Sequence, residues 1–346
     1  MKHIFTVHSP ITFLTAISII KKNKLAEDDI IIFSTNYEPP SSLPYLKKSF
    51  ESINRSILVK ILKWNTPTEY DRYIDSFLQK NEKFIAYVDL MHMYQRILIT
   101  NKRCESFSFI EEGTASYIFP NTIEDIGYIH KKKSDRYNSI KEIVLDIRLF
   151  LRGYNSKLIS MAYTPQSYNE IADHFYCFSK YAFPRIDDNK KEIINLKEIE
   201  FKDFFINIPI LNHDIIWIEE SFTYVYNIPE IHYEIAIKET IKKIGNLFKD
   251  KTIYLKKRPK QETRNSLVYK ILSENGYEIK ILDDKMILEV LLLKSKNCYL
   301  VGNVSSLLFY GNLFGHKSYS MYDCINYKPN TAFENLNFYW DSVEKI

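Results

Sequence analysis

The chain has 346 residues, enough for two separate hydrophobic cores, because single cores stop growing at about 250 to 300 residues. Hydrophobic residues make up 45% and charged residues 26%, which excludes a disordered chain. A formal net charge of +4 is too mild for a nucleic-acid binder and fits anionic small molecules or an anionic membrane surface.

Cys104, Cys177, Cys298 and Cys324 are far apart and form no CxxC pair, so neither a zinc site nor a redox motif is expected; free thiols in a reducing compartment are. No apolar run approaches about 18 residues, so no membrane span is expected. The apolar start is broken by His8, Ser9 and Pro10 and lacks a small-residue cleavage site. A cytoplasmic location follows as the expectation.

In chain order, Ile4 to Val7 predicts a strand, and Ser9 can cap a helix that begins at Pro10 and runs to about Asn23. Strands follow at Ile30 to Ser34, Ile57 to Leu62, Phe84 to Leu90 and Phe107 to Ile110, with helices at Pro67 to Gln79 and Met91 to Asn101. Beyond Lys131 to Lys133, apolar residues at helical spacing predict a helix over Ser139 to Arg152, ended by Gly153. The pattern weakens from Tyr154 to Pro209. A second series then places strands at Ile215 to Ile218, Thr252 to Leu255, Tyr277 to Leu282, Cys298 to Val301 and Ser318 to Met321. Helices fall at Glu230 to Lys249, Arg264 to Glu274, Met286 to Leu293 and Ser305 to Leu313. Strands alternating with helices predict an α/β protein with mainly parallel sheets. The expected division is a Rossmann-like domain at 1–185, a linker at 186–209, a second Rossmann-like domain at 210–329, and a tail at 330–346 that packs back on the first domain. Two such halves imply a cleft between them.

Four spots lie at predicted strand ends, where open α/β sheets gather ligands. His8-Ser9-Pro10 is the first. The second is Glu111-Glu112-Gly113, two carboxylates ending an apolar run, with a glycine that permits close approach. The third, Lys256-Lys257-Arg258-Pro259-Lys260, sets four cations around a proline; the fourth, Gly302-Asn303-Val304-Ser305-Ser306, offers hydroxyls and backbone N–H groups to an anion at a helix start. Each has a plainer reading: a solvated turn for the acids, a solvated face for the lysines, a simple cap for the serines. Glu219, Glu220 and Ser221 form another acidic strand end that could line the cleft. The remaining histidines show no paired spacing, so no metal site is expected.

The order of Glu111-Glu112-Gly113, the K-x-R-P-K element at Lys256 to Lys260 and the Ser305-Ser306 helix start resembles the bacterial sialyltransferases, both the lipooligosaccharide enzymes and the capsular polysialyltransferases. Their signatures are D/E-D/E-G, His-Pro and Ser-Ser/Thr, and the His8-Ser9-Pro10 loop is similar to their first strand-loop-helix unit. The resemblance implies two Rossmann-like domains facing across a cleft in the GT-B arrangement. It implies CMP-sialic acid bound by the C-terminal half through Lys256, Arg258, Pro259, Lys260, Gly302, Asn303, Ser305 and Ser306, with no cofactor and no metal. A glycan acceptor would lie at the N-terminal half near His8, Ser9, Pro10 and Gly113, with Glu219 and Ser221 opposite. Transfer would invert the anomeric centre, with Glu111 or Glu112 taking the acceptor proton; the resemblance favours Glu111.

Arg258 stands where the family has histidine before proline. An arginine can stabilise a departing phosphate but cannot give it a proton. Two other readings therefore stand beside the first: a transferase using CMP-Kdo or a nucleotide-hexose, and a non-catalytic GT-B-like glycan-binding protein. Lys131 to Lys133 and Arg136 could rest on an anionic membrane.

Overall fold

Strands that are apolar on both faces require a sheet covered on both sides, and the IIIFS run, buried at every position, is the clearest case. The computed structural model describes residues 1–50, 66–89, 93–117, 169–199, 208–219, 228–257, 266–283, 286–326 and 331–346, with Val144 and Ile147. Described residues up to 199 form one unit and those from 208 onward a second.

In the first unit, β1 (Lys2–Val7), β2 (Ile30–Ser34), β3 (Leu46–Ser49), β4 (Phe84–Val88), β5 (Cys104–Ile110), β6 (Phe175–Cys177) and β7 (Lys191–Ile193) pair in parallel. Their order is β3-β2-β1-β4-β5-β6-β7. The chain leaves β1 toward β2 on one side and later returns to add β4 on the other. The carboxyl ends of β1 and β4 thus form the switch point at which doubly wound sheets bind ligands. Helix α1 (Pro10–Lys22) is buried from Ile11 to Ile20 and packs on β1, β5 and β6. Helices α2 (Thr66–Ser76) and α3 (Met93–Thr100) pack together beyond β4.

The second unit repeats the plan. β8 (Ile215–Glu219), β9 (Ile253–Lys257), β10 (Ile279–Ile281), β11 (Tyr299–Gly302), β12 (Lys317–Ser320) and β13 (Glu344–Lys345) are parallel, in the order β10-β9-β8-β11-β12-β13. This is the doubly wound 3-2-1-4-5-6 order. Helices α4 (Glu230–Ile244), α5 (Leu267–Glu274), α6 (Leu288–Lys294), α7 (Ser306–Leu313) and α8 (Asn337–Trp340) accompany it. Among the described residues, no helix is long and apolar enough to cross a membrane.

Two expectations about boundaries change. The segment expected as a linker, 186–209, still belongs to the first unit as far as residue 199, because Lys191–Ile193 is its edge strand. The tail expected against the first domain belongs to the second: Glu344 and Lys345 pair with Tyr319 and Ser320, and Phe333 and Trp340 pack on Tyr322. Strands of two or three residues carry too few positions for an alternation to show.

Gly311 in α7 marks the tightest helix-on-sheet contact. A Cβ there would lie 2.4 Å from Leu300 Cδ2 and 3.1 Å from Ser318 Oγ, both on the underlying strands. Glycine costs a helix interior up to about 1 kcal/mol, but overpacking a closed core costs about 1–3 kcal/mol, so the contact wins. Gly311→Val is expected to lower the melting temperature of the second unit by several degrees, read by differential scanning calorimetry.

Candidate active site

The site in the first unit is built from the start of α1. Ser9 is its N-cap and Pro10 its first residue, with Thr12 closing a capping box. Thr12 Oγ1 accepts from the His8 and Ser9 N–H groups at 3.1 and 3.0 Å. Thr12 thereby holds the backbone of His8 and Ser9 just past the end of β1.

Asp89 follows β4, the strand beside β1, and its carboxylate is 2.7 Å from His8 Nε2. The Glu112 carboxylate is 3.5 Å from the same nitrogen. Beneath them, Gln95 Nε2 donates to Thr6 Oγ1 at 2.8 Å, and Thr6 Oγ1 donates to the Tyr87 carbonyl at 2.9 Å, tying β1, β4 and α3 together. His8 and Asp89 therefore sit on a braced floor at the switch point.

The two adjacent glutamates have separate fates. Successive strand residues point to opposite faces, so one carboxylate turns inward. Glu111 is fully buried; its Oε1 accepts from the Tyr117 hydroxyl and its Oε2 from the Phe178 N–H, both at 2.8 Å. Burial and this carboxylate push the Tyr117 hydroxyl well above the ordinary tyrosine range, so it remains a donor. Glu112 keeps 12% of its side chain exposed and looks onto His8. Gly113, at φ +135°, makes the turn that brings Ser116 Oγ within 3.1 Å of the Glu112 N–H. Both oxygens of Glu111 are thus engaged in the interior, whereas Glu112 faces the histidine.

Burial would lower the pKa of His8, but the charge and hydrogen bond of Asp89, then the charge of Glu112, raise it to about 9. Burial, Asp89 and Glu111 push Glu112 up to about 7, with His8 opposing. Near neutral pH the histidine is a cation between two acids, and Glu112 is poised to take or hold a proton. Among the described residues, His8, Asp89 and Glu112 are also the group whose ligand atoms, within 4.8 Å of one another, could hold a metal ion. The 2.7 Å separation of His8 Nε2 and Asp89 Oδ2 is an ion-pair distance when the imidazole carries its second proton. Asp89 escaped sequence reading because the strand was extended through Leu90; an acid ending the apolar run FIAYV was the available signal.

In the second unit, Ser305 is the N-cap of α7 and its Oγ accepts from the Leu307 N–H at 3.3 Å. Gly302 ends β11, and Ser306 opens the helix. The Asn303 side chain is fully buried, and neither of its polar atoms has a hydrogen-bond partner among the described residues. Lys256 turns inward, donating to the Asp283 carbonyl at 2.8 Å. Glu289, pushed up to about 7 by burial, is drawn partly back by its own backbone and by Lys256. Glu219, the last residue of β8, is buried; burial raises its carboxyl above the usual range, while Ser266 and Lys257 draw it back. Arg258, Pro259, Lys260 and Ser221 lie outside the described residues, as do Lys131 to Lys133 and Arg136.

Removing Glu111 strands two buried donors, whereas removing Glu112 strands none. Glu111→Ala is expected to cost on the order of 3 kcal/mol of stability and Glu112→Gln less than about 1 kcal/mol, both read from urea unfolding followed by tyrosine fluorescence.

Comparison with known proteins bears on the family and the fold. The profile of the alpha-2,8-polysialyltransferase (POLYST) family matches residues 3–322. No curated protein matches the sequence significantly. Among solved structures, the 2,6-sialyltransferase of Photobacterium sp. JT-ISH-224, in a ternary complex with CMP and lactose, superposes with a TM-score of 0.54 at 12% identity, covering 99% of this chain and 78% of that one. The UDP-GlcNAc 2-epimerase of Methanocaldococcus jannaschii gives 0.50 at 13% identity, covering 100% and 89%. At these identities the likeness concerns the fold, which is the GT-B class expected from the sequence. With the family profile spanning nearly the whole of both units, the chain belongs to the alpha-2,8-polysialyltransferase family and is a glycosyltransferase of sialic acid.

Proposed function

We propose that this enzyme is an inverting, metal-independent transferase that moves sialic acid from CMP-sialic acid to a galactose-type hydroxyl of a lipooligosaccharide or capsular glycan. The observation that carries the reading is the His8–Asp89–Glu112 cluster at the switch point of the first sheet. The Photobacterium enzyme, of the same fold, was captured with CMP and lactose, which supports a nucleotide-linked donor and a galactoside acceptor here.

Glu112 is the general base. As the acceptor oxygen attacks the anomeric carbon, Glu112 takes its proton, the bond from that carbon to the CMP phosphate breaks, and CMP leaves with the electron pair. His8, held charged by Asp89, orients Glu112 and keeps the site's charge balanced as Glu112 gains the proton. In the second unit the Gly302–Ser306 turn receives the phosphate. Arg258 supplies a permanent positive charge to the leaving group, which needs no proton because CMP departs as a stable anion. Such an enzyme works in the cytoplasm at the inner face of the membrane, with the basic stretch Lys131 to Lys133 and Arg136 against anionic lipid.

The test is incubation with CMP-sialic acid and a panel of galactosides in excess EDTA, with products read by mass spectrometry and the anomeric configuration by NMR. Sialylated product of inverted configuration at an undiminished rate is expected; retention of configuration or loss of activity in EDTA contradicts the reading. A pH series adds a second check. A base must be ionised, so activity rises with pH through about 7, where Glu112 loses its proton, and falls above about 9, where His8 loses its charge.

A further inference from the structure

The residues after 322 lie beyond the family match, yet they hold the turn that the proposed function gives to the donor phosphate. Tyr339 is fully buried in α8. Its hydroxyl accepts from the Ser305 N–H at 2.9 Å and donates to the Ser305 carbonyl at 3.1 Å. A phenol has one proton to give, and Tyr339 directs it, with an acceptor position, to one residue 34 positions away. Its ring lies against Phe309 of α7, with centroids 6.4 Å apart, and Trp340, 4.8 Å away.

A second tie comes from the same segment. Ser320 Oγ donates to the Asn303 carbonyl at 2.6 Å, while Ser320 is held from its other side by pairing with Lys345 and by the Ile346 N–H on its carbonyl at 2.9 Å. Residues 339–346 thus brace the turn at Ser305 directly and at Asn303 through Ser320. Next to the two ties, the Val304 and Ser306 N–H groups take no acceptor, and the buried Asn303 amide has no partner, among the described residues. Donors left open in a turn fixed on both sides are preorganised for an anion.

We propose that Tyr339 is a positioning residue for the donor: its hydroxyl fixes the Ser305 backbone so that the Gly302–Ser306 turn presents its open N–H groups to the phosphate of CMP. The inference rests on the sialyltransferase reading of that turn. It assigns the C-terminal segment a part in donor affinity as well as in packing.

The test is CMP binding by isothermal titration calorimetry, with donor and acceptor KM, for the full-length wild type, Tyr339→Phe, Ser320→Ala and Phe333→Leu, well below their melting temperatures. Tyr339→Phe removes one oxygen and is expected to raise the Kd for CMP and the donor KM about tenfold, with the lactose KM unchanged. Phe333→Leu loosens the packing of the same segment on Tyr322 and is expected to lower the melting temperature with Kd unchanged. Ser320→Ala cuts the second tie, is expected to raise Kd in the same direction, and serves alone if Tyr339→Phe does not fold. Wild-type Kd in the folded Tyr339→Phe and Ser320→Ala variants overturns the proposal, as does an equal rise in Phe333→Leu. A wild type that binds no CMP instead overturns the sialyltransferase reading, and this inference with it.

Discussion

The 2.7 Å contact between His8 Nε2 and Asp89 Oδ2 is the interaction on which the site depends. It joins the carboxyl ends of β1 and β4, the two strands where the chain reverses its direction of winding. Burial alone would strip the proton from the histidine, and Asp89 reverses that. Two charges about 4 Å apart interact by about 4 kcal/mol at an effective dielectric of 20, enough to outweigh partial burial but not complete burial. The cluster needs both conditions: Asp89 inside, and an edge open where Glu112 stands.

The second constraint is the alternation of side chains along a strand. Two consecutive acids just past the end of β5 face opposite ways, so Glu111 turns into the interior and Glu112 toward His8. Glu111 closes the interior by receiving Tyr117 and Phe178, which fixes the backbone from which Glu112 is presented. In the second unit two further acids are buried without such a partner: Glu219, the last residue of β8, lies near the start of α5, and Glu289, in α6, lies near Lys256. Charge at a strand end is therefore not by itself a site. What sets Glu112 apart from Glu219 is the titratable imidazole that faces it.

The central strands were legible in the sequence because each fully buried parallel strand is a continuous apolar run. Ile30–Ser34 agrees at both ends, and Ser9-Pro10 announced α1 by its own capping chemistry. The edge strands β3, β7 and β13 escaped notice, as did β6, which is three residues long. LKKS and KEI carry charge on exposed edges, and β13 has two residues, so neither composition nor period marks them. The Glu111-Glu112-Gly113 motif was legible as chemistry, but the division of labour within it was not, since it depends on Tyr117 and on Phe178, brought in by the distant strand β6. Asp89 and Tyr339 were invisible for the same reason: their meaning lies in partners 81 and 34 positions away, which only the folded sheets supply.

Single-turnover transfer from CMP-sialic acid to lactose at pH 8, comparing Glu112→Gln with Glu111→Gln, measures directly which glutamate takes the acceptor proton. A neutral amide at 112 cannot accept a proton, so transfer should fall by about 10²- to 10⁴-fold with CMP affinity intact. Glu111→Gln should keep transfer within about tenfold of wild type wherever it folds, because an amide can still accept from one of the two buried donors. A Glu112→Gln enzyme that transfers at the wild-type rate, or a folded Glu111→Gln enzyme that has lost transfer to the extent predicted for Glu112→Gln, would contradict the assignment.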